Sequence, residues 1–141
     1  MTTLYRTKAI ATGGRAGQVR SDDGLFSAQL ALPPALGGKG EATNPEQLFA
    51  AGYAACFGNA ILHVARAQKI ALRDADVEVS AEVGIGPRPA GGFQLSTALN
   101  ITLAGLEQAV AEKLVEVAHQ VCPYSNAVRG NIDVALAVAT R

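Results

Sequence analysis

The sequence has no tryptophan, few aromatic residues and no excess of either charge. Aromatic residues make up 5% of the chain, and 12 basic residues balance 12 acidic ones. Proteins that bind nucleic acid usually present a basic face or a set of stacking aromatic side chains. The composition offers neither feature, so it argues against a nucleic-acid-binding protein.

Long apolar runs and targeting segments are also missing. The longest apolar run, residues 48–62, contains Asn59 and falls short of the roughly 18 to 20 residues that a membrane span needs. Residues 1–10 carry polar and charged side chains every few positions, unlike the apolar core of a secretory signal. We therefore expect a cytoplasmic protein that does not associate with membranes.

Cysteine is scarce, with Cys56 and Cys122 as the only two. In the cytoplasm a cysteine pair is more often catalytic, redox-sensing or metal-binding than a structural disulfide. Each could equally be a small apolar core residue. Cys122 is the stronger candidate for chemistry, because Pro123 ends the helix before it and a thiol at a helix end can be presented. From the residues alone, a redox pair is one interpretation among several.

The remaining pattern predicts one α+β domain, residues 1–141, with mostly antiparallel sheet, because the length suits a single domain and 49% of residues are apolar. Apolar residues at alternate positions predict strands at residues 26–32, 77–85, 93–103 and 132–138, and residues 4–12 and 18–21 are plausible partner strands of the first of these. Two helices are predicted, at residues 45–68 and 107–121.

The first predicted helix should form the centre of the fold. Asn44 is a good N-cap and Pro45 a good first helical residue. Residues 48–62 are apolar on nearly every face, which predicts burial all round and more cover than one small domain supplies. For the second helix we predict an apolar stripe, with these members: Val110, Leu114, Val117 and Val121.

A metal site is not supported by the spacing of possible ligands. Two cysteines and two histidines match the number of ligands in a zinc site. On one helix, however, Cys56 and His63 lie roughly 10 Å apart along the axis, too far to share an ion. His119 and Cys122 could share a face, but two ligands do not make a structural site. We therefore predict no bound metal.

Two charged residues each allow two interpretations. Arg15 lies in a glycine-flanked turn, where it could fold over a ligand or simply face solvent. Glu46 lies in the first turn of a predicted helix, where the helix dipole is sufficient reason for a carboxylate. Spacing alone does not choose between these interpretations.

Two longer segments resemble a known family. Residues 43–57 read TNPEQLFAAGYAACF and residues 121–127 read VCPYSNA. They closely resemble the two cysteine segments of organic hydroperoxide resistance (Ohr) proteins, within the OsmC-like family. The turn at residues 13–17 matches as well, and the similarity runs over essentially the whole chain. The tyrosine after Cys122 and Pro123 favours the Ohr branch over the OsmC branch.

The resemblance implies an OsmC-like fold in which two chains intertwine as a homodimer, with central helices buried between the sheets. It implies a cysteine-based peroxidase that reduces organic hydroperoxides during oxidative stress, with Cys56 peroxidatic, Cys122 resolving, and Arg15 and Glu46 as supporting charges. No metal, haem or flavin is expected, and a dihydrolipoyl-type dithiol, carried by a lipoylated protein, would restore the enzyme. Apolar residues near Cys56 would contact an alkyl or fatty-acid substrate: Leu48, Phe49, Tyr53 and Phe57.

Helix geometry adds a prediction about the dimer. Ten residues separate Glu46 from Cys56, roughly 15 Å along an unbroken helix. If both serve one active site, Glu46 should come from the partner chain. Two alternatives remain open, namely an OsmC-branch peroxidase with broader peroxide use and a redox-switched binding protein.

Overall fold

The computed structural model describes residues 1–141 and divides into two compact units, Met1–Leu48 and Phe49–Arg141. Each unit contains one three-stranded sheet. The strands and helices, in chain order, are β1 (Ala9–Thr12), β2 (Gln18–Ser21), β3 (Ser27–Gln29), α1 (Pro45–Ala67), β4 (Val77–Pro87), β5 (Phe93–Leu103), α2 (Gln108–Val121), α3 (Pro123–Val128) and β6 (Val134–Thr140). Three helices and two sheets confirm the predicted α+β class. The assignment of the whole chain to one domain stays a prediction.

The first unit is a small antiparallel sheet in the order β1, β2, β3. Its strands lie within the predicted segments, but β1 and β3 are shorter than predicted. A short 3₁₀ turn, Gly14–Ala16, joins β1 to β2 and carries Arg15. Glycine is needed at Gly17 because a Cβ there would collide with the carbonyl oxygen of Thr12. The tight turn thereby fixes where Arg15 leaves the sheet.

Helix α1 begins where the sequence predicts. The Asn44 side-chain oxygen accepts a hydrogen bond from the Gln47 backbone N–H at 2.9 Å, which satisfies a donor that has no partner inside the helix. Pro45 is the first helical residue and Glu46 lies in the first turn. The predicted N-cap is confirmed.

The second unit has a long hairpin as its framework. Strands β4 and β5 pair antiparallel over all of their length, and β6 adds to β5 in parallel. Alternate residues of β5 turn inward, and Leu99, Ile101 and Leu103 are buried in the core. The two sheets are thus antiparallel except for the β5–β6 pair, as predicted.

Helix α1 buries one face in the single chain. The buried side chains recur at the helical period and pack in the core of the second unit: Tyr53, Phe57, Ala60, Ile61, Val64 and Ala65. On the opposite side Ala51, Ala55 and Asn59 are exposed. The burial on every face that the apolar sequence predicts is not reached within one chain, in line with the expectation that one small domain cannot cover the helix.

The predicted stripe of helix α2 is wrong in its register. The buried residues are Ala111, Leu114, Val115 and Ala118. Val110 and Val121 are 41% and 46% exposed, so only Leu114 of the predicted stripe is fully buried. The sequence holds two overlapping apolar stripes, and the buried one is shifted by one residue from the predicted one. Helix α3, which follows at once, was not predicted.

Candidate active site

The two thiols lie next to each other. Cys122 Sγ is 3.8 Å from Cys56 Sγ and donates a weak S–H hydrogen bond to it. Both cysteines are free. Cys56 is partly exposed, whereas Cys122 is 0% exposed. A disulfide needs sulfurs about 2.05 Å apart, so a movement of roughly 2 Å would join them. The pair is therefore arranged for disulfide formation, with Cys56 as the sulfur that solvent can reach.

Local backbone chemistry puts Cys122 in this position. Helix α2 ends at Val121, and Cys122 is extended because Pro123 disfavours helical geometry in the residue before it. Proline then starts α3, where its missing N–H costs nothing. The Cys122 N–H donates to the Ala118 carbonyl at 2.8 Å, and its own carbonyl accepts from Asn126 at 3.0 Å. The resolving candidate is thus held by hydrogen bonds on both sides.

The surroundings of Cys56 work against a thiolate. Burial raises the pKa of the Cys56 thiol, and the neighbouring Cys122 raises it further. The Tyr124 backbone amide is the one group that lowers this pKa. Within Phe49–Arg141 no cationic side chain contributes. A reactive thiolate at this position needs an additional positive charge.

Arg15 and Glu46 form a bidentate ion pair in the first unit. Arg15 Nη1 donates to Glu46 Oε2 at 2.8 Å, and Nη2 donates to Oε1 at 2.5 Å. The hydrogen bond from Arg15 lowers the pKa of Glu46 below its ordinary value. The Glu46 side chain is 14% exposed and that of Arg15 is 36% exposed. The structure thus joins two residues, 31 positions apart, that spacing left uncertain.

The predicted substrate contacts differ in exposure. Phe49 stacks edge-on with Tyr53 at 6.1 Å between ring centroids, and Tyr53 meets Phe57 at 6.4 Å. Tyr53 and Phe57 are 0% exposed, whereas Phe49 is partly exposed, and Leu48 lies in the first unit. Only Phe49 of these three rings is reachable in the single chain. The substrate role of all four residues stays a prediction.

A hydrogen-bonded cluster of three polar residues near the thiols was missed from the sequence. Ser125 Oγ lies 2.8 Å from Tyr53 Oη and 2.9 Å from His119 Nδ1. Tyr53 precedes Cys56 by three residues, and His119 and Ser125 lie three residues on either side of Cys122. That spacing places them near the cysteines, and it was the available signal. No three side chains of the kinds that bind metal come together anywhere in the chain.

Comparison with known proteins assigns the family. A family model described as OsmC-like protein matches residues 38–137. The chain belongs to the OsmC-like protein family. An organic hydroperoxide resistance protein of Xanthomonas axonopodis pv. citri is 52% identical to this OsmC-like chain over 137 residues, which cover 96% of this chain and 95% of that protein. The resemblance of the two cysteine segments is therefore confirmed.

Crystal structures of relatives share the OsmC-like fold of this chain. That of an organic hydroperoxide resistance protein from Legionella pneumophila matches with a TM-score of 0.93 at 56% identity, covering 98% of this chain and 99% of that one. That of OhrB from Bacillus subtilis matches with a TM-score of 0.87 at 44% identity, covering 97% and 100%. The predicted OsmC-like fold is thus confirmed, whereas the intertwined homodimer stays a prediction.

Membership of the OsmC-like family also bears on the apolar helix. Helix α1 is longer than the apolar run recognised in the sequence and meets the length and composition test for a membrane span, with a mean hydropathy of 1.5 over an 18-residue window. The core helix of a soluble protein meets the same test. In this fold α1 is that core helix, and the chain is a soluble protein.

Proposed function

We propose that the chain is a thiol peroxidase that reduces organic hydroperoxides to alcohols. The observation that carries this proposal is the 3.8 Å separation of a partly exposed and a fully buried thiol. Relatives named organic hydroperoxide resistance proteins support a role in resistance to organic hydroperoxides and in the response to oxidative stress. Together these findings favour Cys56 as the attacking sulfur.

The reaction has two steps on the protein. The Cys56 thiolate attacks one peroxide oxygen, the O–O bond breaks, and the other oxygen leaves as the alcohol after taking up a proton. Cys56 is then a sulfenic acid. The Cys122 sulfur attacks the sulfenic sulfur, an S–S bond forms, and the sulfenic hydroxyl leaves as water with the Cys122 proton. The hydroperoxide is reduced by two electrons, and the two thiols supply them.

A guanidinium would meet the need for positive charge at Cys56. Arginine stays ionised at every physiological pH and can donate to the peroxide oxygens as the bond between them breaks. The bidentate contact with Glu46 fixes the orientation of Arg15, although the carboxylate offsets part of its field. Since Arg15 lowers the pKa of Glu46, the pair remains charged at neutral pH and is lost only as the pH falls through that lowered value.

The partner chain of a homodimer would supply this ion pair. Helix α1 is unbroken from Pro45 to Ala67, so ten residues of helix separate Glu46 from Cys56, roughly 15 Å. Because Arg15 binds Glu46 in its own chain, a site that contains one of these side chains also contains the other. The exposed alanine face of α1 supplies a surface that a second copy would cover. We therefore assign Arg15 and Glu46 to the site of the partner's Cys56.

Mixed dimers test this assignment. Arg15→Ala and Cys56→Ser chains, each expected to lose on the order of 10²-fold or more in kcat/KM, are co-expressed with different tags and purified as heterodimers. One of the two sites then holds an intact Cys56 and a partner's intact Arg15, so about half of the wild-type activity per dimer should return. The measurement is consumption of tert-butyl hydroperoxide.

The matched control is a heterodimer of Arg15→Ala and Glu46→Gln chains. Both substitutions affect the same ion pair, so each of the two sites in this heterodimer lacks one member of the pair. Its activity should therefore not exceed that of the Glu46→Gln homodimer. If the Arg15→Ala and Cys56→Ser combination regains nothing, each chain uses its own arginine and the assignment fails.

Reduction of the disulfide completes the cycle. A dithiol of the dihydrolipoyl type, carried by a lipoylated protein in the cytoplasm, would act as a co-substrate rather than as a bound cofactor. The dithiol attacks the disulfide, a mixed disulfide forms, and its second thiol then closes a ring and leaves the two protein thiols reduced. The partly exposed Cys56 makes this sulfur accessible to such a reductant.

Steady-state turnover tests the proposed function against a redox-switched binding protein. The protein at low concentration is mixed with dihydrolipoamide and an excess of tert-butyl hydroperoxide, and peroxide loss is followed. A peroxidase should consume many equivalents per chain. Consumption that stops at about one equivalent per chain would instead support the switch, since a sensor reacts once and then waits for reduction.

The choice of hydroperoxide tests the apolar surroundings of Cys56. The kcat/KM for tert-butyl hydroperoxide and for a fatty-acid hydroperoxide should exceed that for hydrogen peroxide by about tenfold or more, because each buried methyl or methylene group adds favourable binding. The three values are measured with the same dithiol. Equal values would favour the OsmC-branch alternative with its broader peroxide use.

A further inference from the structure

The Ser125 hydroxyl is a buried polar group near the thiols that the proposed reaction does not use. The Ser125 side chain is 0% exposed and lies between Tyr53 on α1 and His119 on α2, within hydrogen-bond distance of both. A buried hydroxyl with two hydrogen-bond partners joins the helices or strands on which those partners lie. Ser125 thus links all three helices of the second unit at one point.

Helix α3 is the element that this link holds in place. Its Tyr124 ring packs against α1 at Gly52, where a Cβ would come within 2.9 Å of the tyrosine oxygen. At its other end, Arg129 Nη2 donates to the His119 carbonyl of α2 at 2.6 Å. Between these contacts Ser125 supplies the hydrogen bonds that join α3 to the other two helices.

The position of α3 bears on both thiols. The helix begins directly after Cys122, whose carbonyl accepts the Asn126 N–H. Its Tyr124 backbone amide acts on the Cys56 thiol by lowering the pKa of that thiol. Cys56 follows Tyr53 by one helical turn, so the Tyr53–Ser125 bond lies one turn from each thiol. A shift of α3 would therefore move Cys122 and the Tyr124 amide away from Cys56 together.

We infer that Ser125 is a positioning residue for disulfide formation, which through Tyr53 and His119 holds helix α3 and the Cys122 thiol against Cys56. This inference rests on the proposed function, since it concerns the second step of that reaction. In that step the Cys122 sulfur forms a bond to the Cys56 sulfenic sulfur, the S–O bond breaks, and water leaves with the Cys122 proton. No further oxidant or reductant is needed.

The test separates the two steps in Ser125→Ala. Reduced protein is mixed with one equivalent of tert-butyl hydroperoxide, and thiol loss and disulfide formation are followed separately, with a cyclic 1,3-diketone to capture sulfenic acid. Disulfide formation should slow by about tenfold or more, because misplaced reacting groups lose the benefit of proximity. Peroxide reaction should fall far less. Ser80→Ala, which changes an exposed serine of β4, is the matched control and should behave as wild type.

A double variant distinguishes positioning from stability. Ser125→Ala leaves the Tyr53 hydroxyl buried without its partner, whereas Tyr53→Phe with Ser125→Ala removes both groups and relieves that cost. The double variant should therefore regain melting temperature and still form the disulfide slowly. If disulfide formation recovers with the melting temperature, or is normal in Ser125→Ala, the inference is overturned. A wild-type protein that loses no thiol to peroxide would overturn the proposed function as well, and that result appears before any variant is made.

Discussion

Replacing Cys56 by serine should reduce hydroperoxide consumption to the uncatalysed rate, a loss on the order of 10³-fold or more. Serine is similar in shape but replaces a thiol, which can ionise to the attacking thiolate, by a hydroxyl that stays protonated. Cys122 should not take over, because it is 0% exposed. Peroxide loss in the presence of dihydrolipoamide measures the effect.

The pH dependence of the wild-type protein gives this prediction a second readout. Burial raises the pKa of the Cys56 thiol, so without a cation the thiolate fraction and the rate would rise only at alkaline pH. A guanidinium beside the sulfur shifts that rise to lower pH. The rate at which iodoacetamide alkylates Cys56 is measured against pH. The pH at which this rate rises should therefore be higher in Arg15→Ala than in the wild-type protein. Retained peroxidase activity in Cys56→Ser would contradict the assignment of this sulfur as the nucleophile.

Elements set by local chemistry were predictable from the sequence. The start of α1 follows from Asn44 and Pro45, whose cap and fixed backbone angle act within one turn. The end of α2 follows from Pro123 in the same way. The hairpin β4–β5 follows from alternation over residues 77–85 and 93–103, although β4 continues to Pro87 in the structure. In each case the cause and its effect lie close together in the chain.

Features set by tertiary packing were not predictable in this way. The face of α2 that is buried depends on the side chains of α1 and β5 in the shared core, and the sequence of α2 alone does not choose between its two overlapping apolar stripes. Helix α3 is only one and a half turns long, too short for a periodic signal. The hydrogen bond between Tyr53 and Ser125 joins residues 72 positions apart, and no local pattern indicates it.

The residues of the candidate site show the same difference between local sequence signals and tertiary contacts. Spacing left Cys56 and Cys122 as one of several interpretations, and the resemblance of their segments to a family selected the pair. Their side chains meet across 66 positions because α1 and the α2–α3 junction share one core. Arg15 and Glu46 were uncertain for the same reason, since each has a sufficient local explanation and only their contact reveals the pair.

Replacing Cys122 by serine should have the second largest effect, and its signature should differ in kind. Cys56 remains able to attack, so without reductant about one hydroperoxide per chain should be consumed at close to the wild-type rate, after which the reaction stops. The sulfenic acid then lacks the sulfur that lies 3.8 Å from Cys56 in the native protein. A cyclic 1,3-diketone should capture it, and mass spectrometry should locate the adduct on Cys56.

Excess hydroperoxide should then oxidise the sulfenic acid of Cys122→Ser to the sulfinic acid, which dithiols do not reduce. The wild-type protein should avoid this second oxidation because its disulfide forms first. Serine is smaller than cysteine and similar in shape, so the chain should still fold, although the buried hydroxyl lowers the melting temperature; a melting temperature well above the assay temperature is the control. If Cys122→Ser abolishes the first turnover while Cys56→Ser accumulates a sulfenic acid, the two roles are reversed. The exposure of the two sulfurs argues against that outcome, because the first sulfur to react must be the one that a peroxide can reach.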